Sequence, residues 1–410
     1  MAVPEIGSMP KLGRNVLTLA VTALLLNVAM NMYDPFLSLF FIQLGIPTVL
    51  LGLVFSIYRI GFSVLMLPGG YLADKFGRKR LIVLGCLVYT MLLLPIYWSN
   101  SWILALAFLV CAQLGISIYQ PGTQAMLTES LTDETRATGF GAFWSITMIG
   151  GLIGPVIAGY MCADGNYKPL FLAASAIMFG VTLLRYRFLQ ETKKERRLGY
   201  VSREAGFIEK LKDTWNTSSS VKSYIIWSSL YEFGFQLMLP YTAVLWSLVI
   251  HMDAFLIGIA SSVFMLLMIV AEIPGGRLSD RIGRKPCIIL SILGLMASTL
   301  IMIFSTFSLE VILSQAVGGV FAGLGHGASE ALPGELVNEE IRGTAIGVFR
   351  TTSGLVGGFG PLTASLVCSI YPFETFPRTV FYAYLLIDLV CAIVLALFVK
   401  ETLMSRETKK

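Results

Sequence analysis

Charge is what this chain of 410 residues has least of: only 13% of it is Asp, Glu, Lys or Arg. Soluble domains carry about 25%. With 56% hydrophobic residues and a mean hydropathy of +0.76, the shortfall excludes a soluble globular protein. It points to a chain whose solvent is lipid. Histidine is scarcer still, at 2, and none of the 6 cysteines forms a CxxC pair, so neither a metal site nor a disulfide framework is expected. Most of the cysteines lie in apolar runs and read as small buried residues. A G-x-x-x-x-G-K-[ST] phosphate loop is missing, which excludes an ATP-driven pump. An H-E-x-x-H helix and a nucleophile elbow are missing too, so the chain does not read as an enzyme, and no cofactor is expected. The net charge of +5 is no nucleic-acid signal, because the cations cluster beside apolar segments.

What is present is a series of long apolar runs. A membrane helix needs about 20 such residues. Twelve candidates run near 15–39, 49–69, 81–98, 103–126, 138–161 and 169–189, then near 223–246, 254–274, 287–304, 309–332, 343–367 and 379–399. They are continuous, without the alternation of a barrel strand, so α-helices are predicted. The only long polar stretch, 190–222, reads as a linker with a short amphipathic helix around Phe207–Trp215. It divides the chain into an N-terminal bundle (1–189) and a C-terminal bundle with a short tail (223–410). Lys11 and Arg14 precede the first run and no small-residue cleavage site follows, which predicts a retained span and not a signal peptide.

The 30 lysines and arginines set the orientation. All fall on one side except Lys168 and Arg378, in opposite loops, and Arg59 and Arg350, inside spans. By the positive-inside rule both termini and the linker are cytoplasmic, in the plasma membrane.

A repeat runs through the whole chain. "PGGYLADKFGRKR" at 68–80 returns as "PGGRLSDRIGRKP" at 274–286. One offset of 206 residues relates Asp74 to Asp280, Gly77 to Gly283, Gly52 to Gly258, Glu129 to Glu335 and Arg136 to Arg342. It also relates Gly154-Pro155 to Gly360-Pro361 and Cys162 to Cys368. The fold class is therefore all-α: twelve membrane helices in two pseudo-symmetric six-helix bundles, related by an axis along the membrane normal. Rocking one bundle against the other would open a central cleft to each side in turn.

The phrase from Gly70 through Asp74 and Gly77 to Arg78, repeated from Gly276 through Asp280 and Gly283 to Arg284, resembles the cytoplasmic loop signature G-x-L-a-D-r-x-G-r-k of the major facilitator superfamily. The resemblance covers the whole chain and implies a secondary transporter working by alternating access. It also implies that Asp74 faces the start of the eleventh span near Gly343, and that Asp280 faces the fifth near Ala137. Read from the residues alone, the glycines end helices and allow tight turns. Arg78 and Arg284 are placed to bridge to Glu129 and Glu335. Together these contacts are expected to latch the two bundles on the cytoplasmic side.

The fifth span carries Gly150, Gly154, Pro155 and Gly159, with Ala158 as one departure. This resembles the antiporter signature G-x-x-x-G-P-x-x-G-G and implies export against protons. Drug exporters of the family place an arginine four residues before a fourth-span glycine. Gly115 puts Cys111 there instead. That departure leaves the usual proton relay without its arginine.

Ionisable residues inside spans are functional candidates by default. Asp34, in "NMYDPFL", and Arg59 are expected to meet in the outer half. Two readings are open for them: Asp34 as a coupling carboxylate tuned by Arg59, or a structural pair fixing the first two helices. Glu232 lies near the midplane of the seventh span. Glu330 and Arg350 are expected to pair, joined through His326. Glu272 is read as an inner-gate or interface residue, and Asp388, on the last span, as peripheral. The first and seventh spans line the cleft in the family. They would bring Asn27, Asn31 and Tyr33 opposite Tyr231, Phe235 and Gln236, with Gln113, Tyr119, Gln120 and Gln124 from the fourth span.

Such a mixture of aromatic faces and amides suits amphipathic organic molecules. The expected function is proton-coupled export of hydrophobic or amphipathic compounds. The rival reading is proton-coupled uptake of a sugar or small organic acid. The expected partners are a small-molecule substrate, protons and the lipid bilayer. A monomer suffices, because one chain holds both bundles.

Overall fold

The structure is a computed structural model that describes residues 13–131, 136–192, 207–338, 342–370 and 376–402. Every regular element among them is helical. The first bundle contains α1 (Arg14–Gln43), α2 (Leu51–Phe76), α3 (Arg78–Leu93), α4 (Trp102–Glu129), α5 (Arg136–Met161) and α6 (Lys168–Phe188). The second contains α7 (Ser219–Val244), α8 (Ala254–Ile282), α9 (Arg284–Phe304), α10 (Ser308–Glu335), α11 in two pieces (Arg342–Gly357 and Gly360–Ile370) and α12 (Phe376–Phe398). The linker helix spans Phe207–Trp215.

Among the described residues, 11 helices are long and apolar enough to cross a membrane. The twelfth expected span, α7, is 26 residues long and falls short in apolarity alone. It carries serines, tyrosines, Glu232 and Gln236 into the protein, where neighbouring helices and not lipid surround them. In lipid each backbone N–H and C=O must be satisfied within its own segment, which is why every span is a helix.

Close packing inside each bundle rests on small residues. A Cβ on Gly85 of α3 would meet the Gly115 carbonyl oxygen of α4 at 2.6 Å, and the reverse contact is also 2.6 Å. Gly150 and Gly154 of α5 press on α1, where a Cβ would meet the Leu24 and Val28 carbonyls at 2.6 and 2.7 Å. Gly77 and Gly283 sit at φ 93° and 105°, so the turns from α2 to α3 and from α8 to α9 require glycine.

Asn15 donates to the carbonyl of Gln190, so the start of α1 lies at the linker end. The bundles meet at the other, far end, through backbone. A Cβ on Gly52 would lie 1.8 Å from the Pro361 carbonyl oxygen, and one on Gly258 2.3 Å from that of Pro155. These contacts are mates under the 206-residue offset. Beside them the Leu362 amide donates to Ser56 Oγ at 2.8 Å, and Ser262 Oγ donates to the Leu152 carbonyl at 2.8 Å. Among the described residues every hydrogen bond between bundles lies toward the far end. The space between them on the linker side is a cavity.

Overpacking a tight contact costs about 1–3 kcal/mol. Gly258→Leu is therefore predicted to shift the resting population about tenfold or more toward a form open at the far end. Spin labels on the far ends of α2 and α11 read this as a longer distance. An unchanged distance would show that the glycine contact does not hold the bundles together.

Candidate functional site

The cavity encloses about 980 Å³, at the upper end of small-molecule sites. Its wall is largely aromatic and aliphatic, with Tyr58, Phe62, Trp144, Trp227, Phe235 and Trp246 among its residues. Set into that wall are Asn27, Asn31, Asp34, Arg59, Gln113, Gln120 and Gln124 from the first bundle, and Tyr231, Glu232, His326 and Glu330 from the second. Tyr119 lines it as well.

Local sequence explains how Asp34 reaches the cavity. Pro35 has no N–H to donate, and α1 is interrupted by a 3₁₀ turn at Asp34–Phe36. Asp34 is exposed to the cavity at this break. Arg59 lines the same cavity and its charge acts on Asp34, yet no ion pair joins them among the described residues. The structural-pair reading is thus not the geometry found. Asn31 Nδ2 donates to Asn27 Oδ1 at 2.7 Å, an amide pair one turn apart. Gln236 Nε2 donates to Glu232 Oε1 at 2.7 Å and fixes that carboxylate, but Gln236 itself is buried off the cavity.

Tyr33 is also placed elsewhere than expected. It is buried, hydrogen-bonded to Tyr89 and stacked on Phe171 at 5.3 Å, so it holds α1, α3 and α6 together and does not line the cavity. Glu330 pairs with Arg350 at 2.8 Å, as expected, but His326 does not join them. His326 Nδ1 lies 2.8 Å from Glu272 Oε1, tying α10 to α8. Asp388 is 0% exposed and packs beside Tyr384 and Tyr231, both on the cavity wall, so it is not peripheral. Cys111 is exposed on α4, away from the cavity lining.

Among the described residues the ion pairs of the loop motifs lie within bundles. Arg78 Nε donates to Glu129 Oε1 at 3.3 Å, and Arg284 Nη2 to Glu335 Oε1 at 3.4 Å. Each pair joins adjacent spans of one bundle, which corrects their expected part in a latch between bundles. Asp280 pairs with Arg284 at 2.6 Å, and among the described residues no ion pair joins it to the fifth span. Gly276 has open space beside it. The surroundings of Gly70 and the side chains of Asp74, Arg136, Ala137 and Arg342 lie outside what is described, so the Asp74 contact with the eleventh span does too.

Two carboxylates escaped the sequence reading. Glu191 accepts from the Arg78 and Lys79 amides at 3.0 and 3.2 Å, and Glu401 from the Arg284 and Lys285 amides at 3.1 and 2.9 Å. Each caps a helix N-terminus, where orphan N–H groups and the helix dipole favour an anion. Thr192 and Thr402 then bond to Glu129 and Glu335, both at 2.5 Å. The Glu-Thr dipeptide closing each half was the available signal.

A third miss is Arg185. Its position one turn from the end of α6 made it read as a topology-setting flank. It is 1% exposed, and it lines the cavity.

The Major Facilitator Superfamily model matches residues 19–257 and 228–410. An uncharacterised transporter of Methanocaldococcus jannaschii is 26% identical over 373 residues, covering 89% of this chain and 91% of that one. The cis,cis-muconate transport protein of Acinetobacter baylyi is 21% identical over 88% of this chain and 87% of its own. A quinolone resistance protein of Staphylococcus aureus is 20% identical over 49% of this chain and 51% of its own. Among solved structures, a bacterial homologue of the human lysosomal transporter Spinster, in an inward-facing unoccupied conformation, has a TM-score of 0.80 at 14% identity. That match covers 97% of this chain and 99% of the other.

Exposure separates the surface ion pairs by value. Arg350 and Glu330 are 70% and 58% exposed, so Arg350→Ala is predicted to change stability by less than about 0.5 kcal/mol. The Arg284 side chain is only 14% exposed and bonds Ser279, Asp280 and Glu335. Arg284→Ala is predicted to cost about 1–3 kcal/mol, read as a lower Tm in detergent. Equal shifts for the two variants would contradict this ranking.

Proposed function

We propose, for a chain that belongs to the major facilitator superfamily, proton-coupled export of an amphipathic organic solute by alternating access. That it is a multi-pass membrane transporter and not an enzyme follows from the family. The single observation that carries the finer reading is the cavity. It lies between the bundles, is closed at the far end through glycine and proline, and is lined by aromatic rings with Asp34, Arg59 and Glu232 set among them. The lysine and arginine bias puts the linker end in the cytoplasm, so the cavity is read as loading from inside.

Exchange then needs a reverse movement. Separation at Gly52–Pro361 and Gly258–Pro155 opens the far side, while the linker ends approach. Gly154 and Pro155 serve that step twice, because α5 packs α1 with one residue and receives α8 on the other. A carboxylate in the cavity that takes up a proton in one open form and releases it in the other couples the two flows. Asp34 suits that role, since it stands at a helix break in the cavity and has no ion pair among the described residues. Export is supported by the α5 signature and by the resistance protein that resembles half the chain. A second reading, uptake of a small organic acid with protons, is favoured by the muconate transport protein, which resembles nearly the whole chain.

In vesicles with an imposed pH gradient, solute-driven proton movement gives coupling and its sign. Asp34→Asn is predicted to abolish proton movement, while exchange of solute for solute at equal pH stays within about threefold of the parent rate, a change near 0.65 kcal/mol. Proton movement that survives the substitution would remove Asp34 from the coupling role.

A further inference from the structure

Arg185 is a buried cation, and among the described residues no anion pairs with it. α6 starts at the far end and runs toward the linker, and helical side chains lean toward the helix N-terminus. Arg185 therefore turns away from the linker-side surface and into the bundle, while Arg187, two residues on, stays exposed and rests on Phe188 at 5.9 Å. The guanidinium is held by three neighbours. Nε donates to Thr22 Oγ1 at 3.0 Å, Nη1 donates to Cys86 Sγ at 3.0 Å, and Cζ lies 5.4 Å from the Tyr119 ring centroid. A hydroxyl, a thiol and a ring fix its position, but none carries a negative charge. Among the described residues Arg185 makes no ion pair. A guanidinium has five N–H donors in a planar fork, and these contacts use two of them. The group borders the cavity.

The surrounding wall has matching gaps. Arg59 Nε is buried without a hydrogen-bond partner. On α4 the side-chain oxygens of Gln113 and Gln120 are buried and likewise unpartnered, and both residues line the cavity. The charged residues lining the cavity from the first bundle are Arg59, Arg185 and Asp34, two cations to one carboxylate. Glu232 and Glu330 face them from the second bundle, the first bonded to Gln236 and the second to Arg350. Buried charge without a partner is retained in a membrane bundle where a ligand supplies the counter-charge.

We propose that the cavity takes an organic oxyanion with an aromatic or aliphatic body, its carboxylate or sulfonate seated on Arg185 and a hydroxyl or N–H substituent turned to Gln113 and Gln120. This rests on the transport reading above and names the substrate class of the same site. Arg185 is a binding residue positioned by Thr22 and Cys86. The planar fork matches both oxyanions, and a neutral molecule of equal size leaves it unpaired.

The test uses purified full-length protein and the tryptophans of the cavity, Trp227, Trp246 and Trp144, as reporters. The probes are 4-hydroxycinnamate, its methyl ester and 4-hydroxybenzenesulfonate. Saturable quenching is expected for at least one of the two anions, about tenfold tighter than for the ester. Whichever anion binds tighter identifies the headgroup. Arg185→Gln is expected to weaken the anion about tenfold or more and leave the ester within about twofold, while Arg185→Lys recovers most of the loss. Thr22→Val keeps the cation but loosens it, and is expected to weaken the anion alone by about threefold. That variant serves if Arg185→Gln does not fold. Equal binding of anion and ester, equal loss of both in the variants, or no saturable binding of either anion overturns the assignment.

Transport in vesicles separates this failure from that of the function. Movement of the ester but not the anions removes the substrate class and keeps the transporter. Tight anion binding at Arg185 with no solute movement does the reverse.

Discussion

The architecture turns on a contact made by the absence of side chains. Gly52 meets the Pro361 carbonyl and Gly258 meets that of Pro155, so two bundles touch backbone to backbone at one end of the membrane. Glycine permits the approach. Proline leaves the carbonyl four residues before it without its helical N–H, which loosens each helix beside the seam. Lipid supplies no hydrophobic drive between helices, so association relies on close van der Waals fit and a few hydrogen bonds such as Ser262 to Leu152. A contact of that kind holds two bodies and also releases them, which a large interlocked interface would not.

Each bundle, by contrast, is made to stay whole. Among the described residues the linker ends are stitched by ionic networks within each bundle: Arg78, Glu129, Thr192 and Glu191 in one, and Arg284, Glu335, Thr402 and Glu401 in the other. A carboxylate on a helix N-terminus is worth about 0.3–1 kcal/mol at an exposed site. Repeated twice and tied to an ion pair, it makes a rigid corner. Rocking needs rigid halves and a weak seam, and the charges at the linker end serve the first requirement.

The fold was open to inspection in the sequence because bilayer physics is simple. Runs of about 20 apolar residues have few alternatives. The repeat supplied the rest: the Arg78–Glu129 and Arg284–Glu335 pairs and the required glycines at 77 and 283 all formed. What the repeat concealed was partner choice. Asp280 was assigned to the other bundle, yet Arg284, one turn along, reaches it first at 2.6 Å. His326 was assigned to Glu330 by proximity in sequence, whereas the packing of α10 on α8 brings Glu272 nearer. Arg185 was hidden for a directional reason. Position along a helix says where Cα lies, not which way a long side chain leans.

The cavity was hard to read for a reason the repeat itself makes plain. Residues that keep the 206-residue offset are those of turns, seams and corners. The cavity's chemistry breaks it: the mates of Asp34, Arg59 and Arg185 are Pro240, Met265 and Cys391, and the mate of Glu232 is Leu26. Machinery that opens two opposite mouths must work alike in both halves, so symmetry is preserved where movement is made. A solute has no two-fold axis, so the residues that face it are free to differ. Two cations and one carboxylate on one wall, facing two carboxylates on the other, give the cavity a polarity the scaffold lacks. An oxyanion entering it would be oriented before either mouth closed.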